Sequence, residues 1–208
     1  MTSLRHNTEP STPQREARDS HLDAARACIL DVGWRRTTLT EVARRAGVSR
    51  MTIYRTWSDM PELLGDLMTR EWGGVVEAAV ADQDGPHQIS TVSAVDRLVA
   101  GIVSTVRVLR DNELFVRIVE LDPELILPYL LSRRGRSQDL ILALTTEAIR
   151  AGQDAGEIRA GNTTAIARAL LLAAHGFVLS THTMVDDEVT EAELDHELGV
   201  LLRQGLLP

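Results

Sequence analysis

Apolar residues recur at intervals of three and four positions along most of this chain. Leu22, Ala25 and Ile29 follow this spacing near the N-terminus, and Val95 and Val99 follow it further along. Such intervals place side chains on one face of an α-helix, whereas a half-buried strand needs strict alternation. No segment alternates convincingly, and we find no internal repeat. The pattern therefore predicts an all-α protein.

Two short helices joined by a tight turn are predicted between residues 38 and 57. Thr38 is followed three residues later by Glu41, the spacing of a capping box. Gly47 should end this helix, because a tight turn needs a residue that tolerates positive φ. Ser49 can cap the next helix, which we expect to run to about Trp57. The pairing predicts a helix-turn-helix, although it also fits an ordinary three-helix packing unit.

Further helices are predicted on both sides of this pair. Ser20 and Gly33 suit the start and end of a preceding helix, and Asp59 with Glu62 forms a second capping box that starts a following one. Beyond it, residues 82–90 are predicted to form a loop. The later helices are expected at residues 95–109, 114–121, 124–132, 140–155, 163–183 and 191–203. We therefore expect a flexible N-terminal arm at 1–15, a three-helix helix-turn-helix domain at 16–66 and a larger helical domain at 67–208.

The distribution of charge changes how the helix-turn-helix is interpreted. The chain carries a formal net charge of −8, which by itself disfavours a nucleic-acid partner. Its 22 basic residues are all arginines, and seven of them lie between Arg26 and Arg55 beside only two acidic residues. A local basic patch on an acidic body is compatible with a specific DNA-binding protein. A solvated basic face would show the same pattern.

Composition limits the compartment and the kind of core. The single cysteine, Cys28, excludes an internal disulfide and a cysteine-based zinc site and favours a reducing cytoplasm. No run approaches the roughly 18 consecutive apolar residues of a membrane span, and no apolar signal segment is found at the N-terminus. We therefore expect a cytoplasmic protein with no membrane partner. Aromatic residues make up only 3% of the chain, so the core must be mainly aliphatic.

The segment between His21 and Leu64 resembles the N-terminal signature of TetR-family transcriptional regulators. The resemblance is carried by the stop at Gly33, by Thr38 with Glu41, by the turn at residues 43–49, by Tyr54 and by Trp57. It covers about a fifth of the chain, and the combined pattern is specific. The resemblance implies a DNA-binding regulator, by family habit a repressor, that is released from a palindromic operator by a small effector.

Physical roles can be assigned to residues of the expected recognition helix. Arg50 can bond guanine O6 and N7 with both arms of its guanidinium. The family resemblance implies that Tyr54 and Thr38 bind phosphate, the latter where helix N–H groups converge on an anion. The predicted DNA-contacting residues are Thr38, Thr40, Arg50, Met51, Thr52, Tyr54, Arg55 and Thr56. One departure concerns Met60, which stands where most family members have a lysine, so a phosphate contact is missing or is made by N–H groups near Asp59.

The segment from Ala165 to Leu179 is apolar almost all round, so a helix there should be buried on every side. We expect it to face its own domain on one side and a second copy of the chain on the other, together with the final helix. A fully buried central helix of a monomer is the alternative. The predicted homodimer interface consists of Leu171, His175, Val178, Leu194, Leu198 and Leu201.

Polar or aromatic groups within apolar helices are the candidates for a ligand pocket. These are Trp72, Phe115, Arg117, Tyr129 and His175. The scarcity of aromatic residues favours an aliphatic pocket and therefore a hydrophobic effector. No cofactor and no metal site are predicted.

Two rival functions remain open at this point. An enzyme is disfavoured, because the chain has no phosphate-binding glycine loop, nucleophile elbow or zinc-protease motif. A helical ligand-binding or adaptor protein that no longer binds DNA is the second rival. Arg50, Thr52 and Tyr54 disfavour it, because a protein that had lost DNA binding would not need to retain these three side chains on one helix. The sequence does not distinguish a repressor from an activator.

Overall fold

A computed structural model of the protein describes residues 12–81 and 92–208, and all regular structure in these ranges is helical. The loop predicted at residues 82–90 and most of the predicted N-terminal arm lie outside the described residues. The α-helices are α1 (Thr12–Val32), α2 (Leu39–Arg45), α3 (Arg50–Thr56), α4 (Met60–Ala81), α5 (Ala94–Arg110), α6 (Glu113–Leu121), α7 (Leu127–Leu131), α8 (Arg136–Asp154), α9 (Thr163–Ser180) and α10 (Glu191–Leu206). Short 3-10 turns occur at Trp34–Arg36, Pro123–Leu125 and Thr181–Thr183.

Two helices are longer than the sequence predicts. α1 begins at Thr12, so residues 12–15 are helical and do not belong to an arm. Pro13 lies in its first turn, where a missing backbone N–H costs no hydrogen bond. α4 continues to Ala81, past Gly73 and Gly74. Each glycine lowers helix stability by about 1 kcal/mol relative to alanine, which weakens a helix without ending it.

The chain divides into two compact units, Met1–Leu67 and Met68–Pro208, one residue beyond the boundary expected from the sequence. In the first unit, α2 packs against both α1 and α3. Its large side chains with less than 2% exposure are Ile29, Val42, Ile53, Trp57, Leu63 and Leu67. These positions follow the helical spacing of the sequence, so this core is built from local patterns.

The second unit is organised around α5, which packs against α8, α9 and α10. Its core is almost entirely aliphatic; the fully or nearly fully buried members include Val95, Val106, Ile149, Ala167, Leu198 and Leu206. Asp195 on α10 is buried and accepts hydrogen bonds from Arg110 (2.9 and 3.0 Å) and Arg107 (2.7 Å) on α5. Burial alone would raise the pKa of Asp195, but these two arginines outweigh it and lower the pKa. This charged cluster fastens α10 to α5.

α9 and the turn after it, Thr163–Thr183, are long and apolar enough to cross a membrane by length and composition alone. This is weak evidence for a span, because a helix that packs in the core of a globular protein passes the same test. Within the unit, α9 buries Ile166, Ala167, Leu170 and Val178, so only one side of the helix is covered.

Candidate functional sites: a helix-turn-helix surface and an apolar cavity

The start of α2 is shaped by Thr38. Its Oγ1 accepts a hydrogen bond from the N–H of Glu41 at 3.2 Å, which is half of the predicted capping box. The carboxylate of Glu41 instead binds Arg44 at 2.5 and 3.0 Å, and the bond from Arg44 lowers the pKa of Glu41. The return bond to Thr38 is absent because a neighbouring cation competes for the carboxylate. Thr38 and Thr40 are both exposed at this helix start.

The turn between α2 and α3 has the predicted chemistry. Gly47 has a φ of +68°, in the left-handed region where any residue with a side chain would be strained. Ser49 Oγ accepts the N–H of Thr52 at 3.2 Å and lies 2.9 Å from Thr52 Oγ1. α3 therefore starts at Arg50, directly after its cap, and α2 and α3 pack together as a helix-turn-helix.

α3 presents one exposed face and buries the other. Arg50, Met51, Tyr54 and Arg55 are exposed and lie at positions that share one side of a helix, whereas Ile53 is fully buried. Thr52 and Thr56 are half-buried between these faces, and Thr56 Oγ1 donates to the carbonyl of Thr52 at 3.4 Å. All eight residues predicted to contact DNA thus keep at least part of their surface open.

Ion pairs separate the arginines of this region into two groups. Arg44 is paired with Glu41 and Arg45 with Asp31. Arg50 and Arg55 have no acidic partner within the described part of the chain. Unneutralised positive charge is therefore present on the exposed face of α3, where a polyanion could reach it.

A buried carboxylate anchors the end of α3. The indole N–H of Trp57 donates to Asp66 Oδ2 on α4 at 2.6 Å, and Arg18 of α1 binds the same oxygen. The Arg18 guanidinium also lies 5.6 Å from the centre of the Trp57 ring. Asp66 thereby joins three helices behind the exposed face. Sequence patterns did not identify Arg18 and Asp66, because these partners are 48 residues apart and no short motif connects them.

The second unit contains an elongated cavity of about 430 Å³ between α5, α8 and α9. Four of the predicted pocket residues line it, namely Trp72, Phe115, Tyr129 and His175. The rings of Trp72 and Phe115 meet edge to face with their centres 6.1 Å apart. Arg117 is not among the residues that line the cavity. It lies on α6 two positions from Phe115, and residues two apart on a helix point in different directions.

One hydrogen-bonded pair lies at the polar end of this cavity. Gln138 is buried, and its Nε2 lies 3.4 Å from His175 Nε2 and 3.3 Å from the carbonyl of Tyr129. Burial lowers the pKa of His175, which favours the neutral ring. The sequence offered no signal for Gln138, since a glutamine near a helix start usually lies at the surface.

Comparisons with known proteins agree with these features. Residues 22–67 match the model for bacterial regulatory proteins of the tetR family. The chain is 31% identical over 181 residues to an uncharacterised HTH-type transcriptional regulator of Mycobacterium tuberculosis, covering 86% of this chain and 90% of the relative. The chain belongs to the TetR family. It is therefore a TetR-type helix-turn-helix transcriptional regulator, as the sequence predicted.

Solved structures of other transcriptional regulators share the fold over nearly the whole chain. The repressor QsdR of Rhodococcus erythropolis matches with a TM-score of 0.63 at 18% identity, covering 92% of this chain and 96% of QsdR. FadR of Bacillus subtilis, solved in complex with stearoyl-CoA, matches with a TM-score of 0.63 at 19% identity, covering 90% of this chain and 98% of FadR. These likenesses confirm the all-helical architecture with an N-terminal helix-turn-helix.

The start of α4 shows how this TetR protein departs from the usual pattern at Met60. Met60 is half-buried and carries no charge. Asp59 accepts the N–H of Glu62 at 2.8 Å, and the Glu62 carboxylate binds the N–H and hydroxyl of Ser58 at 2.8 and 2.9 Å. These carboxylates occupy N–H groups that could otherwise bind phosphate.

The structure corrects two residues of the predicted dimer interface and leaves the other four as predictions. Leu198 and Val178 are buried in the core of their own unit, and Leu171 and His175 line the cavity. Leu194 is half-buried, and Leu201 is 63% exposed. α9 is apolar all round, so the sequence could not tell which side faces inward. The exposed stripe of α9 contains Ala165, Ala169, Leu172 and Gly176.

Proposed function

We propose that the protein is a repressor that binds a palindromic operator as a homodimer and leaves it when a small hydrophobic effector occupies the cavity. The observation that carries the DNA-binding part is the exposed face of α3, where Arg50 and Arg55 have no acidic partner among the described residues. A recognition helix needs such a face to enter the major groove. The first unit would then read DNA, and the second would dimerise and bind the effector.

The proposed contacts divide into base readout and phosphate binding. Arg50 at the start of α3 is placed to bond guanine, with Met51 and Thr52 beside it for a thymine methyl or a base edge. Thr38 and Tyr54 would bind phosphates on either side. The remaining contacts are assigned to Thr40, Arg55 and Thr56. Phosphate contacts position the protein, and base contacts supply specificity.

The proposed dimer uses the exposed apolar residues of the last two long helices. Leu172 on α9 is 70% exposed and Leu201 on α10 is 63% exposed, which is costly for large aliphatic side chains in water. An interface formed by α9 and α10 of two copies would cover them. Two-fold symmetry would place two recognition helices on a palindromic site.

The cavity supports the effector part of the proposal. Its volume of about 430 Å³ lies within the range of about 300–1,000 Å³ that small-molecule sites occupy. Its walls are mainly aliphatic, with Leu98, Ile102, Ile141 and Leu170 among them. The structurally similar FadR of Bacillus subtilis was solved with stearoyl-CoA bound. We place the protein in the cytoplasm, where it meets DNA, and assign it no enzymatic activity.

A mobility-shift titration with the DNA upstream of its own gene tests this proposal. We expect one specific shifted complex whose affinity falls steeply with added salt, since bound phosphates release counterions. A scrambled fragment of the same composition serves as the control. Equal affinity for both fragments would overturn the operator-binding proposal and favour the adaptor function. A transcription assay with the same DNA separates repression from activation.

A further inference from the structure

The cavity is much longer than it is wide. Its lining includes Ala94 at the first turn of α5 and Leu109 at the last, a distance of about 22 Å along the helix axis. A cube of the same 430 Å³ would have edges of only about 8 Å. α8 runs antiparallel beside α5, since the Glu157 carboxylate after its end binds the N–H of Ala94. The space is therefore a channel shaped for an elongated molecule.

Aromatic side chains are confined to one end of this channel. Trp72, Phe115 and Tyr129 lie near the end of α5, and the part that begins at Ala94 is lined by aliphatic and small residues such as Leu98. The charged groups at that opposite end are already engaged: Arg97 donates to the carbonyl of Val92 at 2.5 Å, and Glu157 accepts from Ala94. A flexible alkyl chain fits these walls better than a rigid ring system.

The hydrogen bonds of Gln138 determine which nitrogen of His175 carries the proton. The N–H of Gly135 donates to Gln138 Oε1 at 2.8 Å, so the amide nitrogen must face His175. An amide nitrogen only donates, so His175 Nε2 must accept and the ring proton must lie on Nδ1. Nδ1–H has no acceptor among the described residues. His175 therefore offers a donor to a ligand in the cavity that it lines.

We propose that the effector is an acyl compound, with a single long alkyl chain along α5 and α8 and a carbonyl oxygen that accepts a hydrogen bond from His175 Nδ1. A cavity of about 150 Å³ holds benzene, so this one suits about seventeen non-hydrogen atoms, the size of a tetradecanoyl to hexadecanoyl group. The assignment rests on the proposed effector role of the cavity. To that role it adds the chemical class of the ligand and its orientation in the cavity, with the carbonyl oxygen at His175 and the alkyl tail toward Leu98.

Calorimetric titration of the full-length protein tests the class of ligand. The probes are tetradecanoate, its methyl ester and tetradecyltrimethylammonium, each below its micelle concentration. The first two carry an acceptor oxygen, and the third has the same chain without one. We expect both acyl probes to bind at least tenfold more tightly than the cationic probe. If the natural effector carries a free carboxylate, the site should bind tetradecanoate more tightly than its methyl ester. If it carries a neutral carbonyl, the site should not prefer the acid.

Two variants test the placement of the ligand. His175→Phe keeps a ring but removes the donor, so it should weaken the acyl probes about tenfold and leave the cationic probe unchanged. Leu98→Trp fills the tail end and should shift the preference toward octanoate. Circular dichroism checks that each variant is folded.

Equal binding of all three probes, or no binding of either acyl probe, would overturn the inference. Because calorimetry needs no DNA, its result does not depend on whether the protein binds an operator. Selective acyl binding that leaves an operator complex intact would contradict the release mechanism and leave the ligand class standing.

Discussion

The arginines around the helix-turn-helix differ in what neutralises them. Arg44 pairs with Glu41 one turn earlier on α2, and Arg45 pairs with Asp31 on α1. Arg50 has no carboxylate partner within the described residues. A basic stretch in a sequence does not reveal this difference, because the Asp31–Arg45 pair forms only when α1 and α2 pack. Net charge near a site is therefore a weaker guide to DNA contacts than the identity of the unpaired cations.

Arg50→Ala should weaken operator binding by about 1–3 kcal/mol and relax discrimination at one base pair. The reason is that a bidentate guanidinium–guanine contact is lost, while the fold of α3 keeps its cap at Ser49. Binding measured against operators with each base pair substituted checks both effects. Unchanged affinity together with unchanged base preference would contradict the assigned role.

Tyr54→Phe provides the matched comparison for Arg50→Ala. It removes one hydroxyl from the exposed side of α3 and should weaken binding to all sequences similarly, because a phosphate contact carries no base information. Arg44→Ala is a second control, since its charge is already paired with Glu41. If Tyr54→Phe changed base preference, its role would be base readout.

At the scale of elements, short-range chemistry explains what the sequence could predict. The caps at Thr38, Ser49 and Asp59 and the positive φ of Gly47 depend on residues at most three or four positions apart. The helix-turn-helix was therefore predictable to within a residue or two. The start of α1 was not, since Thr12–Arg15 has no apolar spacing to mark it.

Interactions between distant elements explain what the sequence could not predict. Which stripe of α9 faces inward depends on how α5 and α8 pack against it, and the sequence therefore placed the buried Val178 in the dimer interface. Leu198 was misplaced for the same kind of reason, since it is buried where α10 packs against α5. Trp72 and His175 were identified as pocket candidates from their types alone. Gln138 was missed because its role depends on a neighbour 37 residues away.

Gly152→Ala should destabilise the second unit although alanine favours helices. A Cβ at Gly152 would lie 2.5 Å from Cδ1 and 2.7 Å from Cγ1 of Ile158, a residue that follows α8 and is only 3% exposed, so it has little room to move. Overpacking costs about 1–3 kcal/mol, which exceeds the gain of about 1 kcal/mol in helix propensity. Urea unfolding measures the net change.

Two further variants identify the cause of the Gly152 effect. Gly74→Ala on α4 meets no atom within 4 Å and should be neutral or stabilise by up to about 1 kcal/mol. Ile158→Ala removes both atoms that would lie within 3.0 Å of the new Cβ, Cδ1 at 2.5 Å and Cγ1 at 2.7 Å. Combining it with Gly152→Ala should therefore cost less than the sum of the single changes. Additive costs would show that the contact with Ile158 is not responsible.

At the scale of the whole molecule, we expect the chain to be a dimer at micromolar concentration. Leu172→Glu or Leu201→Glu should give folded monomers, because each places a charge in the proposed interface and leaves the core of the unit intact. Light scattering measures the mass. Leu131→Glu on α7 is the control, since Leu131 is 78% exposed outside that interface. A well-folded wild-type monomer would contradict the dimer.

Communication between effector and operator can be tested through α4. This helix runs from Met60 to Ala81 and so belongs in part to each of the two units, and its Trp72 lines the cavity. A ligand releases DNA only if it binds the non-DNA conformation more tightly, and a typical coupling of about 1–3 kcal/mol lowers operator affinity about 5–150-fold. We expect α4 to carry this coupling as a lever.

An effector that releases the operator should therefore change the emission of Trp72. Comparing the wild type with Trp72→Phe isolates this signal and keeps Trp57, whose indole N–H binds the buried Asp66. The change should saturate at the same effector concentration as DNA release, and it should be absent in the variant. A releasing effector that leaves the Trp72 emission unaltered, and leaves α4 in the same position in crystals with and without it, would exclude the lever. Coupling would then act through altered flexibility, which changes affinity without a displaced helix.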